Sequence, residues 1–308
     1  MTTIAPVAEN LSHSIDCSKS GLVTTLAGRL ADYRQMARPR IMVMSAAAVI
    51  SGFVLASPIV ISWPVVWIAV VGICCLVAAS SILNQVIESG TDLQMNRTSD
   101  RPVASGRISR IEAAAFGILA AMIGAALLWR FVNHTTSIAA FCTMLCYVLL
   151  YTPLKRISSL CTTVGAVPGA MPPVLGWLAA GGEFGLEALA LFAVFFVWQF
   201  PHFLAIGWIY REDYERAGLK MLPSFSDNGV RTGGIALIYA LAFVPVSCMP
   251  RIVGLAGPGY MAAAIVLSLG YLWLTVRFVI NRTNVRARQL MFGSLICLPV
   301  LLLCLVAD

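Results

Sequence analysis

Residues 63–84, WPVVWIAVVGICCLVAASSILN, run without a single charge into residues 85–102, QVIESGTDLQMNRTSDRP. The first stretch has the roughly 20 apolar residues that a helix needs to cross a hydrocarbon core. The second is crowded with carboxylates, amides and guanidinium groups. Together they read as a membrane helix that empties into a charged, functional loop. Asn84, Glu88 and Asp92 stand four apart across the junction, so a continuing helix sets them on one face.

Outward from this junction the pattern repeats. Of 308 residues, 59% are hydrophobic and 11% are charged, against about 25% charged in a soluble domain. Most of the chain therefore faces lipid or other apolar helices. Runs of spanning length stand near 41–60, 64–84, 111–130, 135–153, 160–179, 187–209, 233–250, 259–279 and 289–307. The expected fold is all-α, a polytopic membrane protein of about nine transmembrane helices in the lipid bilayer, occupying residues 38–308. Residues 1–37 are expected to form a flexible cytoplasmic tail, because their mixed charges, with Glu9, Asp16 and Asp32, fit neither a signal peptide nor a transit peptide.

The basic residues test this division, since positive charge collects in cytoplasmic loops. With the N-terminus inside, every one of the 21 lysines and arginines falls on the inner side except Arg130 and Arg251. The N-terminus is therefore expected in the cytoplasm and the C-terminus outside. The net charge of +7 is spread between apolar runs and forms no patch, so no nucleic acid partner is expected. Eight of the nine cysteines lie in apolar segments, where cysteine behaves as a small hydrophobe. Cys142 and Cys146 have a metal-binding spacing, but packing is the ordinary explanation for them.

Two inner loops, about 85–110 and 210–232, are long and polar, a habit of functional loops. Both follow a helix that ends in polar groups, which hints at a two-fold plan. In the first, Glu88 and Asp92 offer the one or two carboxylates by which Mg²⁺ is characteristically held, its shell completed by water and phosphate oxygens. Arg97 and Arg101 follow and are suited to clamp those oxygens. The bland reading is a solvated helix cap. Against it, polar groups at membrane depth are costly and default to function. The second group is Gln199 and His202 on the sixth helix, kinked at Pro201, then Asp213 three turns beyond His202, where both could face one cavity. A third is Tyr151-Thr-Pro-Leu-Lys155-Arg156, whose cations serve either topology or an anionic substrate. The Gly/Pro-rich stretch after it reads as a kinked, closely packed helix.

At these segments the chain resembles the UbiA superfamily of intramembrane prenyltransferases, and within it the branch that farnesylates haem. The resemblance rests on Asn84, Glu88, Asp92, Met95, Arg97, Thr98, Arg101 and Pro102 in order, and on Tyr-Thr-Pro-Leu-Lys-Arg at 151–156. Gly-Ala-x-Pro-Pro-x-x-Gly-Trp at 169–177, Trp-Gln-x-Pro-His-Phe at 198–203 and the Asp-Tyr to Met-Leu-Pro stretch at 213–223 complete it. It runs from about Arg38 to the C-terminus. It implies helices around a central cavity, a bacterial inner-membrane location, and Mg²⁺ as cofactor, with farnesyl diphosphate and haem B as substrates and haem O as product. A haem A synthase is the partner implied downstream. Glu88 stands where many members carry Asp. The second motif is poor in acids, with His202 near where members acting on aromatic acids carry a carboxylate, and this favours a haem acceptor.

Carried onto this chain, the resemblance implies catalytic roles for Asn84, Glu88, Asp92 and Asp213, with Glu88, Asp92 and Asp213 on the metal. Arg97, Arg101, Lys155 and Arg156 become diphosphate donors. Gln199 and His202 are left between haem and diphosphate contact, and Phe200, Phe203 or Tyr147 are candidates to shield an allylic cation. Two rivals remain at this stage. A prenyltransferase with an aromatic acceptor would want more acids in the second motif. A transporter would gather its polar residues at the bilayer midplane, whereas these lie at the inner helix ends.

Overall fold

The computed structural model describes residues 26–57, 60–223 and 229–308, and among these residues all regular structure is helical. Residues 26–37 form α1. There follow α2 (Pro39–Ala56), α3 (Trp63–Asp92), α4 (Arg110–Phe131), α5 (His134–Leu154), α6 (Cys161–Ala179), α7 (Leu186–Ile209) and the short α8 (Arg211–Arg216). The chain ends with α9 (Val230–Ser247), α10 (Pro258–Ile280) and α11 (Asn284–Ala307). Of the stretch expected as a tail, residues 26–37 are helical and residues 1–25 lie outside the described residues.

Local sequence explains several boundaries. Ser109 accepts a hydrogen bond from the Glu112 backbone N–H at 3.1 Å, the first half of a capping box. Asn133 caps α5 by accepting from Thr136 N–H at 2.7 Å, and Thr283 does the same for α11. In α5, Cys146–Tyr151 widens into π-helical turns just before Pro153. A π-bulge absorbs such a local irregularity and commonly marks a functional site.

Eight helices among the described residues are long and apolar enough to cross a membrane, against the nine expected. The ninth segment does fold, as the 19-residue α6. It carries Pro168, Pro172 and Pro173 with three glycines and is not among the eight that meet the length and apolarity criterion. It is nevertheless deeply placed. A Cβ on Gly52 of α2 would stand 1.9 Å from the Pro173 carbonyl oxygen, and one on Gly176 would stand 2.0 Å from that of Val49. Only hydrogen at both positions lets α2 and α6 cross backbone to backbone.

Two cores result. One unites α2 to α6 around Phe53, Ile73, Leu76 and Leu128. The other unites α6, α7 and the last three spanning helices around Leu191, Phe243, Tyr271 and Leu298. Met171 of α6 packs against both. Of the eight spanning helices, α3 and α7 are the most enclosed, and these are the helices that lead into the two long polar loops.

Polar contacts draw the five basic segments to one end of the bundle. Arg107 binds Asp32 at 2.8 Å and Asp100 at 2.7 Å, and Arg29 and Tyr33 both bind Glu112. These contacts lash α1 to the loop after α3 and to the first turn of α4. Arg216 reaches Asn96 at 3.2 Å, Lys220 N–H donates to the Lys155 carbonyl at 2.8 Å, and Arg211 reaches Asn284 at 2.9 Å.

Candidate active site

The helix α3 runs eight residues past its apolar stretch, so Asn84, Glu88 and Asp92 stand on one continuous helix, as their spacing predicted. All three are buried, Asp92 completely. Their partners come from two segments, Thr152 and Lys155 from the 151–156 motif and Arg101 from the loop after α3. Asn84 donates to Thr152 Oγ at 3.0 Å, and Thr152 in turn donates to the Tyr147 carbonyl at 2.9 Å inside the π-helical turns. Lys155 Nζ stands 2.8 Å from Glu88 Oε1, an ion pair by distance without the alignment of a hydrogen bond. Arg101 Nη1 reaches both oxygens of Asp92 at 2.7 and 2.8 Å.

These are half-enclosed pairs, with Lys155 and Arg101 only 11% and 17% exposed. A buried charge without a counter-charge is expensive, and each carboxylate here has one. Burial works against the Lys155 charge more than any other single influence. Tyr151, Glu88 and Tyr147 act against burial, and the net direction of its pKa is above the usual ammonium value. Arg101 is pushed the other way, below the ordinary guanidinium value, first by burial and then by the charge of Arg38.

Aromatic rings complete the wall. Lys155 sits 4.4 Å over the Tyr151 ring, and Tyr151 lies 5.0 Å from Tyr147. Gly165 of α6 leaves the space for Tyr151, since a Cβ there would meet its ring at 2.5 Å. On the far side Arg97 stacks 4.6 Å over Tyr210 and donates to Tyr214 OH at 3.3 Å. Tyr151, Thr152, Tyr210 and Tyr214 went unassigned at the level of sequence. Their signal was adjacency, to Lys155 in one motif and to Asp213 in the other.

The second half of the expected site meets the first through Tyr210 and Tyr214 on Arg97 and Met95, with Asp213 and His202 engaged elsewhere. A continuous helix from His202 to Asp213 would put both on one face, but the backbone turns at Tyr210 and starts anew as α8. Asp213 then faces Arg216 at 3.4 Å. His202 lies against Ser294 Oγ of α11 at 2.6 Å and stacks on Trp198. Gln199 donates to the carbonyls of Ala166 and Phe195, bracing α6 on α7. Phe200 stacks on Tyr239 at 3.6 Å and Phe203 is exposed on the outer surface, which leaves Tyr147 as the expected aromatic nearest the acids. Arg156 is exposed and donates to the Ile87 carbonyl at 3.3 Å.

Among the described residues no three acidic, histidine or cysteine side chains come together as a ligand set. Glu88 and Asp92 alone still match the chemistry of Mg²⁺, which takes one or two carboxylates and keeps water and phosphate oxygens in its remaining positions. Asn84 Oδ1 adds a buried oxygen with no hydrogen-bond partner. The donor set therefore fits a hard cation shared with an anionic substrate.

Residues 44–296 match the UbiA prenyltransferase family. A protohaem IX farnesyltransferase of Solibacter usitatus is 43% identical over 233 residues, covering 75% of this chain and 80% of its own length. One of Koribacter versatilis is 37% identical over 294 residues, covering 92% and 94%. In fold, the chain resembles a digeranylgeranylglyceryl phosphate synthase with a TM-score of 0.75 at 17% identity, covering 91% of this chain and 98% of that one. It also resembles a UbiA homologue of Archaeoglobus fulgidus bound to GPP and Mg²⁺, with a TM-score of 0.59 at 16% identity, covering 90% and 100%.

Proposed function

The chain belongs to the UbiA prenyltransferase family, and from that premise we propose that it transfers the farnesyl group of farnesyl diphosphate to a vinyl group of haem B. Water adds in the same reaction, giving haem O and diphosphate, the activity named for its relatives. The observation that carries the reaction class is the row Asn84, Glu88 and Asp92 with a cation fixed on each carboxylate. Oxygen donors for a metal and cations for phosphate oxygens are the two halves of a diphosphate site.

Mg²⁺ held by Glu88 and Asp92 would offset the negative charge that develops on the leaving diphosphate, and Asp213 would join them only by leaving Arg216. Lys155 and Arg101 already stand on the two carboxylates and present charge to diphosphate oxygens, with Arg97 and Arg156 as further donors. Asn84 orients the acid row through Thr152. The Tyr147 and Tyr151 rings border the carbon that loses diphosphate, shield it from premature water and favour its positive charge. The haem vinyl supplies the electrons for the new C–C bond, and water then adds as the hydroxyl. No protein nucleophile is consumed.

We place the gathered end of the bundle at the cytoplasmic face of a bacterial inner membrane; its basic segments support the sidedness and the bacterial relatives the membrane. The lipophilic product suits transfer to a haem A synthase as partner. The decisive assay incubates the purified protein with haem B, farnesyl diphosphate and Mg²⁺. A haem carrying one farnesyl and one hydroxyl group is expected by mass spectrometry, lost on chelation and restored by Mg²⁺. Product from an aromatic acid with none from haem would hand the site to an aromatic acceptor.

A further inference from the structure

Beside the acid row lies a cavity of about 660 Å³ whose wall is unusual in charge. Arg34 of α1, Arg38, Arg40 of α2, and Arg97 and Arg101 of the loop after α3 all line it, and every other lining residue is uncharged. Arg101 is neutralised by Asp92. Arg97 is occupied with two tyrosines. Among the described residues, Arg34, Arg38 and Arg40 meet no carboxylate, although α1 carries Asp32, which is spent on Arg107.

Arg38 forms the corner between α1 and α2 at φ 52°, a left-handed conformation that glycine holds without strain and arginine does not. The corner is nonetheless over-determined. Gln85 of α3 donates to the Met36 carbonyl at 2.9 Å, Met36 is wholly buried, and the Arg107 network fixes α1 from the other side. The fold thus holds like charges together around an open space, an arrangement that an anion with more than one charge would stabilise.

We propose that Arg34, Arg38 and Arg40 hold the two propionate carboxylates of the haem acceptor. This rests on the farnesyl-transfer reading above and supplies what it lacks, an orientation for the acceptor. Haem B carries its propionates on one edge and its vinyl groups toward the other. Anchoring the propionates among the α1 and α2 arginines leaves the vinyl edge toward the bundle. Arg101, which lines the cavity and also binds Asp92, is the common wall between acceptor and diphosphate. Guanidinium forks match carboxylates in geometry as well as charge.

The test compares haem B with its dimethyl ester, which keeps both vinyl groups and loses both carboxylate charges. With the full chain in detergent, the ester is expected to show a KM roughly 10- to 100-fold higher, the range of a lost charged hydrogen bond. In the double variant Arg34→Gln/Arg40→Gln the two acceptors are expected to converge, with the KM for farnesyl diphosphate unchanged. A wild-type protein that treats acid and ester alike overturns the proposal without any variant. So does a double variant that keeps the discrimination but loses affinity for farnesyl diphosphate, which would give the cavity to phosphate. Activity that follows anionic lipid content, with the acid-to-ester ratio unmoved, would give it to lipid headgroups. Failure of the wild type to farnesylate either compound would instead sink the reaction assigned above.

Discussion

Asp92 is the side chain on which the site turns, because it is fully buried, ends α3 and takes both of its bonds from one nitrogen of Arg101. Asp92→Asn keeps an acceptor for that nitrogen but removes the negative charge a cation needs. Turnover is expected to fall by about 10²- to 10³-fold, the scale of losing one preorganised electrostatic contact, with the fold retained by circular dichroism. Glu88 and Lys155 allow a stricter test of pairing. Lys155→Met leaves Glu88 buried without its cation and is expected to destabilise by about 3–5 kcal/mol. Adding Glu88→Gln removes the orphaned charge and restores most of that loss, while activity stays absent. Thermal unfolding in detergent reads the first effect and haem O yield the second. A double variant no more stable than Lys155→Met would mean that the pair is not coupled.

At the scale of helices, close approach and exposure give the same residue type opposite consequences. Gly52 and Gly90 are both helical glycines. A methyl group on Gly52 would collide with the Pro173 carbonyl, whereas one on Gly90 would meet nothing within 4 Å. Gly52→Ala is therefore expected to destabilise by about 1–3 kcal/mol through overpacking. Gly90→Ala is expected to stabilise by about 0.4–1 kcal/mol through reduced freedom of the unfolded chain. Equal shifts in melting temperature for both would refute the backbone crossing of α2 and α6. The elements also show what a sequence can and cannot convey. Asn84, Glu88 and Asp92 were readable because one helix carries all three, so their spacing sets their geometry. Asp213 was not, because the apolar run ends at 209 and the course of the chain beyond it is set by loop contacts such as Arg97 on Tyr210. Nor was α1, whose buried Met36 is fixed by Gln85 and whose polar face is held by Arg107 from a distant loop. The ion pairs of Glu88 and Asp92 have the same character. Arg101 was near enough in sequence to be suspected, but Lys155 arrives from α5, around the π-helical turns before Pro153.

For the molecule as a whole, the parity of its crossings decides where the chain ends. Eight helices satisfy a simple hydropathy and length criterion, and eight crossings would return the C-terminus to its starting side. Counting α6 makes nine and sends it across. The contacts favour nine. The start of α11 lies at the gathered end, where Asn284 accepts from Arg211. The last residue, Asp308, accepts from the Tyr260 N–H at 2.9 Å, at the opposite end of α10. The chain therefore finishes one helix length from the segments that hold the acids. The N-terminal side is tied to those same segments through Asp32 and Tyr33. In the orientation proposed above, with the basic loops inside, that end is the cytoplasmic one. A C-terminal alkaline phosphatase fusion to the full chain is expected to be active in the periplasm, and a C-terminal fluorescent protein dark. An N-terminal fluorescent fusion is expected to be bright. A fluorescent C-terminus would mean eight crossings, and it would remove α6 from the membrane despite the glycine contacts that seat it against α2.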